Sequence, residues 1–130
     1  MLERTRALYA ELAAALGVDE LPADDNGGVQ LTIGDDITVV LFAEFDRTLL
    51  IVLPLAALPE QAGYTLAFWL LRQNLYTSDI APFTLACDAA GTLVLWGRMP
   101  VSELTGATLA GLIDAVAVEA RRIRGEIEAA

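Results

Sequence analysis

VQLTIGDDITVVLFAEFDRTLLIVLPL, running from Val29 to Leu55, holds three apolar runs separated by two short polar breaks. In the first run Val29, Leu31 and Ile33 alternate with Gln30 and Thr32, the pattern of a half-buried strand. Gly34-Asp35-Asp36 supplies turn chemistry. Ile37 to Phe45 is more continuously apolar and is expected to be buried on both faces. Asp46-Arg47 reverses the chain again, and Thr48 to Leu55 forms a third strand that Pro54 closes. Breaks this short favour an antiparallel meander, because a parallel pair needs a long crossover.

Working outward, Met1–Leu16 reads as an amphipathic helix. Leu8, Leu12 and Ala15 fall on one stripe, Tyr9 and Leu16 lie beside it, and Gly17 is a natural stop. Asp19 to Gly28 is a polar connection rich in Pro, Asp, Asn and Gly. After the meander, Pro59-Glu60 is expected to open a second helix reaching about Tyr76. Tyr64, Ala67, Phe68, Leu71 and Leu75 form its main stripe. Leu66, Trp69 and Leu70 add apolar surface elsewhere, so this helix is expected to pack against two things. Pro82–Cys87 and Thr92–Met99 read as a hairpin, with Asp88 starting the turn and Gly91 free to take positive φ. Pro100 ends that hairpin and Ser102 is expected to cap the last helix. Leu109, Leu112, Val116, Ile123 and Ile127 recur at helical spacing along it, and Arg121, Arg122 and Arg124 favour its negative pole. The order α-β-β-β-α-β-β-α defines an α+β fold: one domain, residues 1–130, with a twisted and mainly antiparallel sheet packed by helices.

Composition narrows the function. The net charge of −10 repels phosphate backbones and anionic membranes, so neither nucleic acid nor membrane is an expected partner. The densest apolar run, around Leu66–Leu71, ends at Arg72, far short of the ~20 residues of a spanning helix. The opening Met-Leu-Glu-Arg-Thr-Arg has no basic region followed by an apolar core, so the expected location is the cytoplasm. Cys87 is the single cysteine and is expected to be a small buried thiol. There is no histidine, which removes the commonest general base and metal ligand. No Walker lysine motif or G-x-G-x-x-G occurs, and no cofactor or metal is expected. Asp24/Asp25 and Asp35/Asp36 lie in predicted turns and read as solvated turn formers, not catalytic pairs. An enzyme is therefore not expected. With 55% hydrophobic residues, the chain has apolar surface to spare, and burial against a second copy or a partner is the natural outlet.

The stretch Trp69-Leu-Leu-Arg-Gln-Asn-Leu75, followed by Phe83-Thr-Leu-Ala-Cys-Asp-Ala-Ala-Gly-Thr-Leu-Val-Leu95, resembles the class I (CesT-like) chaperones of bacterial type III secretion. In that family a helix ends in a Leu-Leu-x-x-Asn-like phrase. A hairpin with an Asp-x-x-Gly-like turn, an alternating Leu strand and a long last helix follow. The element order, small size and acidic character match over nearly the whole chain. The departures are the absence of Lys and the glycines Gly106 and Gly111 early in the last helix. The resemblance implies a homodimer that holds the N-terminal segment of a secreted effector in extended form before export, partly by adding a strand to a sheet edge. Carried onto this chain, it implies effector contacts at Leu8, Leu12, Val29, Leu31, Ile33, Val40 and Phe42. It implies a dimer surface at Leu66, Trp69, Leu70 and Trp96. Two other functions fit the same α+β plan: an adaptor or scaffold that grips a folded partner, and a small ligand-binding domain or enzyme with a pocket between helix and sheet.

Overall fold

Alternation, not continuous burial, governs the meander. In the computed structural model, which describes residues 1–130, its strands are β1 (Val29–Ile33), β2 (Ile37–Glu44) and β3 (Thr48–Ala57). Ile37, Val39 and Leu41 are fully buried, while Thr38 and Val40 are half-buried and Phe42 is exposed. The expected two-sided burial of β2 is thus corrected: helices cover one face only. The second break is Phe45-Asp46, both with positive φ, so β2 ends at Glu44 instead of running through Phe45. Pro54 does not close β3. The strand continues to Ala57 with a register irregularity between Pro54 and Ala56, and β2 pairs with β3 only as far as Val52. A proline beyond that ladder leaves no β2 partner short of a donor.

The chain begins with α1 (Glu3–Leu16), ended by Gly17 in the left-handed conformation, as its sequence requires. After β3 come α2 (Tyr64–Arg72), β4 (Thr84–Cys87) and β5 (Thr92–Pro100). The hairpin turn forms as expected: Asp88 Oδ1 accepts from the Ala90 and Thr92 N–H groups, and Gly91 has φ +85. Helix α2 is shorter at both ends than its composition predicts. Leu58 N–H donates to Gly91 O, which keeps the chain alongside the hairpin turn, and the helix starts only after Gly63. A single 3₁₀ turn, Val101–Glu103, precedes α3 (Gly106–Ala129). Thr105, not Ser102, caps α3, in a reciprocal box with Thr108.

All four pairings are antiparallel, and the strand order is β1-β2-β3-β5-β4. Helices α1 and α3 pack on each other, and α3 lies on β2 and β3. Gly106 makes the helix crossing possible, because a Cβ there would overlap the Glu11 backbone carbonyl. Glu11 Oε1 in turn accepts the Gly106 N–H at 3.0 Å. The buried stripe of α3 is Leu109, Ile113, Val116, Ala117, Ala120, Ile123 and Ile127, with Ile113 taking the inward place predicted for Leu112.

The three arginines near the end of α3 bind groups beyond their own helix terminus, and Arg122 also pairs with Glu119 one turn back. Arg121 Nε lies 2.9 Å from Asp36 Oδ2, and Arg124 donates to the Leu55 and Asp36 carbonyls. The Arg121 hydrogen bond holds the Asp36 carboxyl below its usual range. Helix α1 has no side-chain cap of its own at Leu2. Asp46 supplies one from the β2–β3 turn, accepting from the Arg4 and Thr5 N–H groups at 3.0 and 2.6 Å and from the Thr5 hydroxyl at 2.7 Å.

Candidate polypeptide-binding face

Register across the sheet sorts its residues into two faces. On the closed face Leu41 stands opposite Ile51, which stands opposite Gly97, and Leu53 stands opposite Leu95. All are buried beneath the helix layer. On the other face Gln30, Val40, Val52, Trp96 and Thr84 form one row across all five strands. Phe42, Leu50 and Arg98 form a second row, and Pro54, Val94 and Ala86 a third. No helix covers this side. Val40, Leu50, Val52, Val94 and Trp96 are half-buried by one another and Phe42 is 46% exposed.

The face is apolar in the middle and charged at one end. Arg98 lies over the Trp96 ring, 5.3 Å from its centroid, and its Nε is 3.0 Å from Glu44 Oε1. That pair is solvent-accessible and contributes little stability. Phe45 projects from the adjoining turn and is 89% exposed. A left-handed φ is unfavourable for an aromatic residue, and the Asp46 hydrogen bonds to α1 hold the turn in place.

A second apolar surface lies on α2. Leu66 and Leu70 turn inward and join the core, so they anchor the helix and do not present its outer face. Trp69 is half-buried against Arg122 of α3, 5.7 Å from ring centroid to guanidinium. The main stripe read from the sequence is the exposed one: Tyr64, Phe68 and Leu71 face water, with the Tyr64 and Phe68 rings stacked at 6.1 Å. Beside them a groove of about 420 Å³ runs between α2 and the β4–β5 hairpin, lined by Leu58, Ala62, Ala67, Leu71, Leu85 and Leu93. Cys87 opens onto this groove and is exposed, which corrects the expectation of a buried thiol.

Of the residues named from sequence, Val40, Phe42 and Trp96 come together on the open face. Leu8, Leu12 and Val29 are buried in the single hydrophobic core. Leu31 and Ile33 sit half-buried at the β1 margin, in register with Val39 and Ile37 of the closed face. Leu50, Val52, Val94 and Phe45 were not singled out by sequence. The signal for the first three was their alternation with Leu49, Ile51, Leu53 and Leu95 along β3 and β5.

No three His, Cys, Asp or Glu side chains converge to hold a metal, and no helix is long and apolar enough to cross a membrane. What the geometry offers is contact area: an uncovered apolar sheet face on a rigid helix-backed scaffold, which defines a polypeptide-binding α+β protein. The chain belongs to the Tir chaperone protein (CesT) family, whose sequence model matches residues 7–124. Sequence comparison with curated proteins gives no match.

Solved structures share the fold. A chain from the Yersinia pestis type III secretion chaperone SycH in complex with a stable fragment of YscM2 superposes with a TM-score of 0.76 at 22% identity, covering 92% of this chain and 98% of that one. A chain of the heterodimeric ExoU–SpcU complex from the type III secretion system of Pseudomonas aeruginosa gives 0.77 at 25% identity, with coverage of 91% and 95%. A chain of the ExoT–SpcS complex from the same organism gives 0.72 at 23% identity, covering 94% and 98%.

Proposed function

We propose that this protein is a type III secretion chaperone that binds the N-terminal segment of an effector and keeps it soluble and extended for export. The uncovered apolar face of the sheet, on a scaffold of the CesT family, is the observation that carries this reading. An extended segment suits such a face, because every second side chain of a strand points the same way and can seat between Val40, Phe42, Leu50 and Val52. Solved relatives support it: SycH is a chaperone bound to a stable fragment of YscM2, and HopA1–SchA is a chaperone–effector complex. The chaperone acts in the cytoplasm, without cofactor, metal or catalytic step. It works as a homodimer, with Trp69 and Trp96 among the dimer contacts and Leu66 and Leu70 holding α2 beneath its exposed aromatic stripe.

Co-expression with the product of the adjacent gene, followed by limited proteolysis, tests the reading. A short N-terminal segment of the client should survive digestion and sediment with two copies of this chain. Protection of a folded internal domain would favour the adaptor or scaffold reading, and a complex with one copy would remove the homodimer.

A further inference from the structure

The family-like phrase at the end of α2 has a specific physical task in this fold. Helix α2 stops at Arg72, and Gln73 to Leu75 continue in tight turns, their N–H groups bonding to Leu70, Leu71 and Arg72 carbonyls. Those turns bring Asn74 to the outer edge of β4, the last strand of the sheet. There its Nδ2 donates to Leu85 O at 2.9 Å, and its Oδ1 accepts from Leu85 N–H at 2.7 Å. The side-chain amide thus reproduces both hydrogen bonds that a neighbouring strand would make at that residue.

Outward-facing peptide groups recur at every second residue of an edge strand, so on β4 they belong to Leu85 and Cys87, preceded by Phe83. Phe83 N–H is taken by Ile80 O at 2.8 Å, and Leu85 is taken twice over by Asn74. Cys87 alone is engaged by neither. An incoming strand needs successive free groups to form a ladder, and the Leu85 pair in the middle of this run is already taken. The strand itself, Thr84-Leu-Ala-Cys87, carries no charge and no proline, the usual devices that keep edge strands apart. Its outer flank also borders the apolar groove beside Leu71 and Leu85.

We propose that Asn74 is an edge guard: its amide closes β4 against pairing with β4 of a second copy of this chain. The role needs no client and does not depend on which polypeptide the open face binds.

The test is Asn74→Ala, compared with the unaltered protein by sedimentation velocity over a range of concentrations. Amide exchange at Leu85 reports whether the edge has opened, with about tenfold faster exchange expected from loss of its partner. The expected result is a concentration-dependent species heavier than the unaltered assembly. Adding Thr84→Lys, a charge on the same strand, should return the mass to the unaltered value. A folded Asn74→Ala protein with fast Leu85 exchange and unaltered mass overturns the proposal, and so does a heavier species that the lysine does not dissolve. If Asn74→Ala loses its far-UV signal, Asn74→Gln replaces it, moving the amide out of register by one methylene. Association of that variant supports the proposal and unaltered mass overturns it.

Discussion

Ile51 and Val52 are neighbours in β3, yet they live in different solvents. Ile51 stands between Leu41 and Gly97 under the helices and is fully buried. Val52 stands between Val40 and Trp96 on the uncovered face and keeps part of its surface in water. Both faces are rich in branched aliphatic residues, so hydrophobicity alone does not tell them apart. The closed face derives its stability from burial within the chain. The open face leaves the same chemistry accessible to another chain, which the proposed function would use. One sheet can do both because side chains alternate strictly, which lets a single strand serve two purposes at adjacent positions.

The largest effect should come from the closed side. Ile51→Ala removes methylene groups from a fully buried site that the rigid sheet cannot collapse around, at a cost of about 2–5 kcal/mol. Val52→Ala, measured beside it by urea unfolding, should cost less than ~1 kcal/mol, because much of the removed surface was already hydrated. Equal costs would break the distinction between the faces.

Asp46 ties the two sides together, since it sits at the β2–β3 turn and caps α1. Desolvation pushes its carboxyl up, but the Thr5 hydroxyl and N–H and the Arg4 N–H outweigh this and hold it below the usual carboxylate value. A depressed folded pKa gives stability that is fully present above the unfolded value, near pH 4, and is lost as pH falls through the folded value. Asp46→Asn should therefore lower the melting midpoint at pH 7 by roughly 3–6 °C. The gap between variant and parent should narrow below about pH 4. A gap that stays constant down to pH 2 would show that the carboxylate charge plays no part in the cap.

Much of this fold was legible because it rests on local signals. The meander, the Asp88–Gly91 hairpin and the long last helix follow from alternation, turn residues and helical spacing. Helix α2 was not, because long-range bonds set its limits. Leu58 is held to Gly91, which delays its start, and Asn74 must leave the helix to reach Leu85. The binding face was half legible. Apolar residues fill Ile37 to Phe45 so nearly that the inward phase of β2 is hidden. That phase is decided by the Gly34–Asp36 loop, which sets Ile33 opposite Ile37 and sends Val39 in and Val40 out. At the second break Asp46-Arg47 marked the reversal, but the left-handed Phe45 left no signal, because a phenylalanine at positive φ is held there by the contact of Asp46 with Thr5, more than 40 residues away in sequence.

The smallest effect on stability should fall on Phe42, and it sharpens the comparison most. At 46% exposure Phe42 has little burial to lose, so Phe42→Ala should unfold within ~1 kcal/mol of the parent. In a complex the same ring would be dehydrated between Val40, Leu50 and the incoming segment. Aromatic anchors of this kind dominate interface energies, so affinity for a bound client segment should fall by about tenfold or more. The two measurements pull apart only if the face is made for contact. A variant that loses stability but keeps affinity would mean that Phe42 belongs to the core after all. One that loses neither would move the binding surface elsewhere, with the exposed aromatic stripe of α2 next in line.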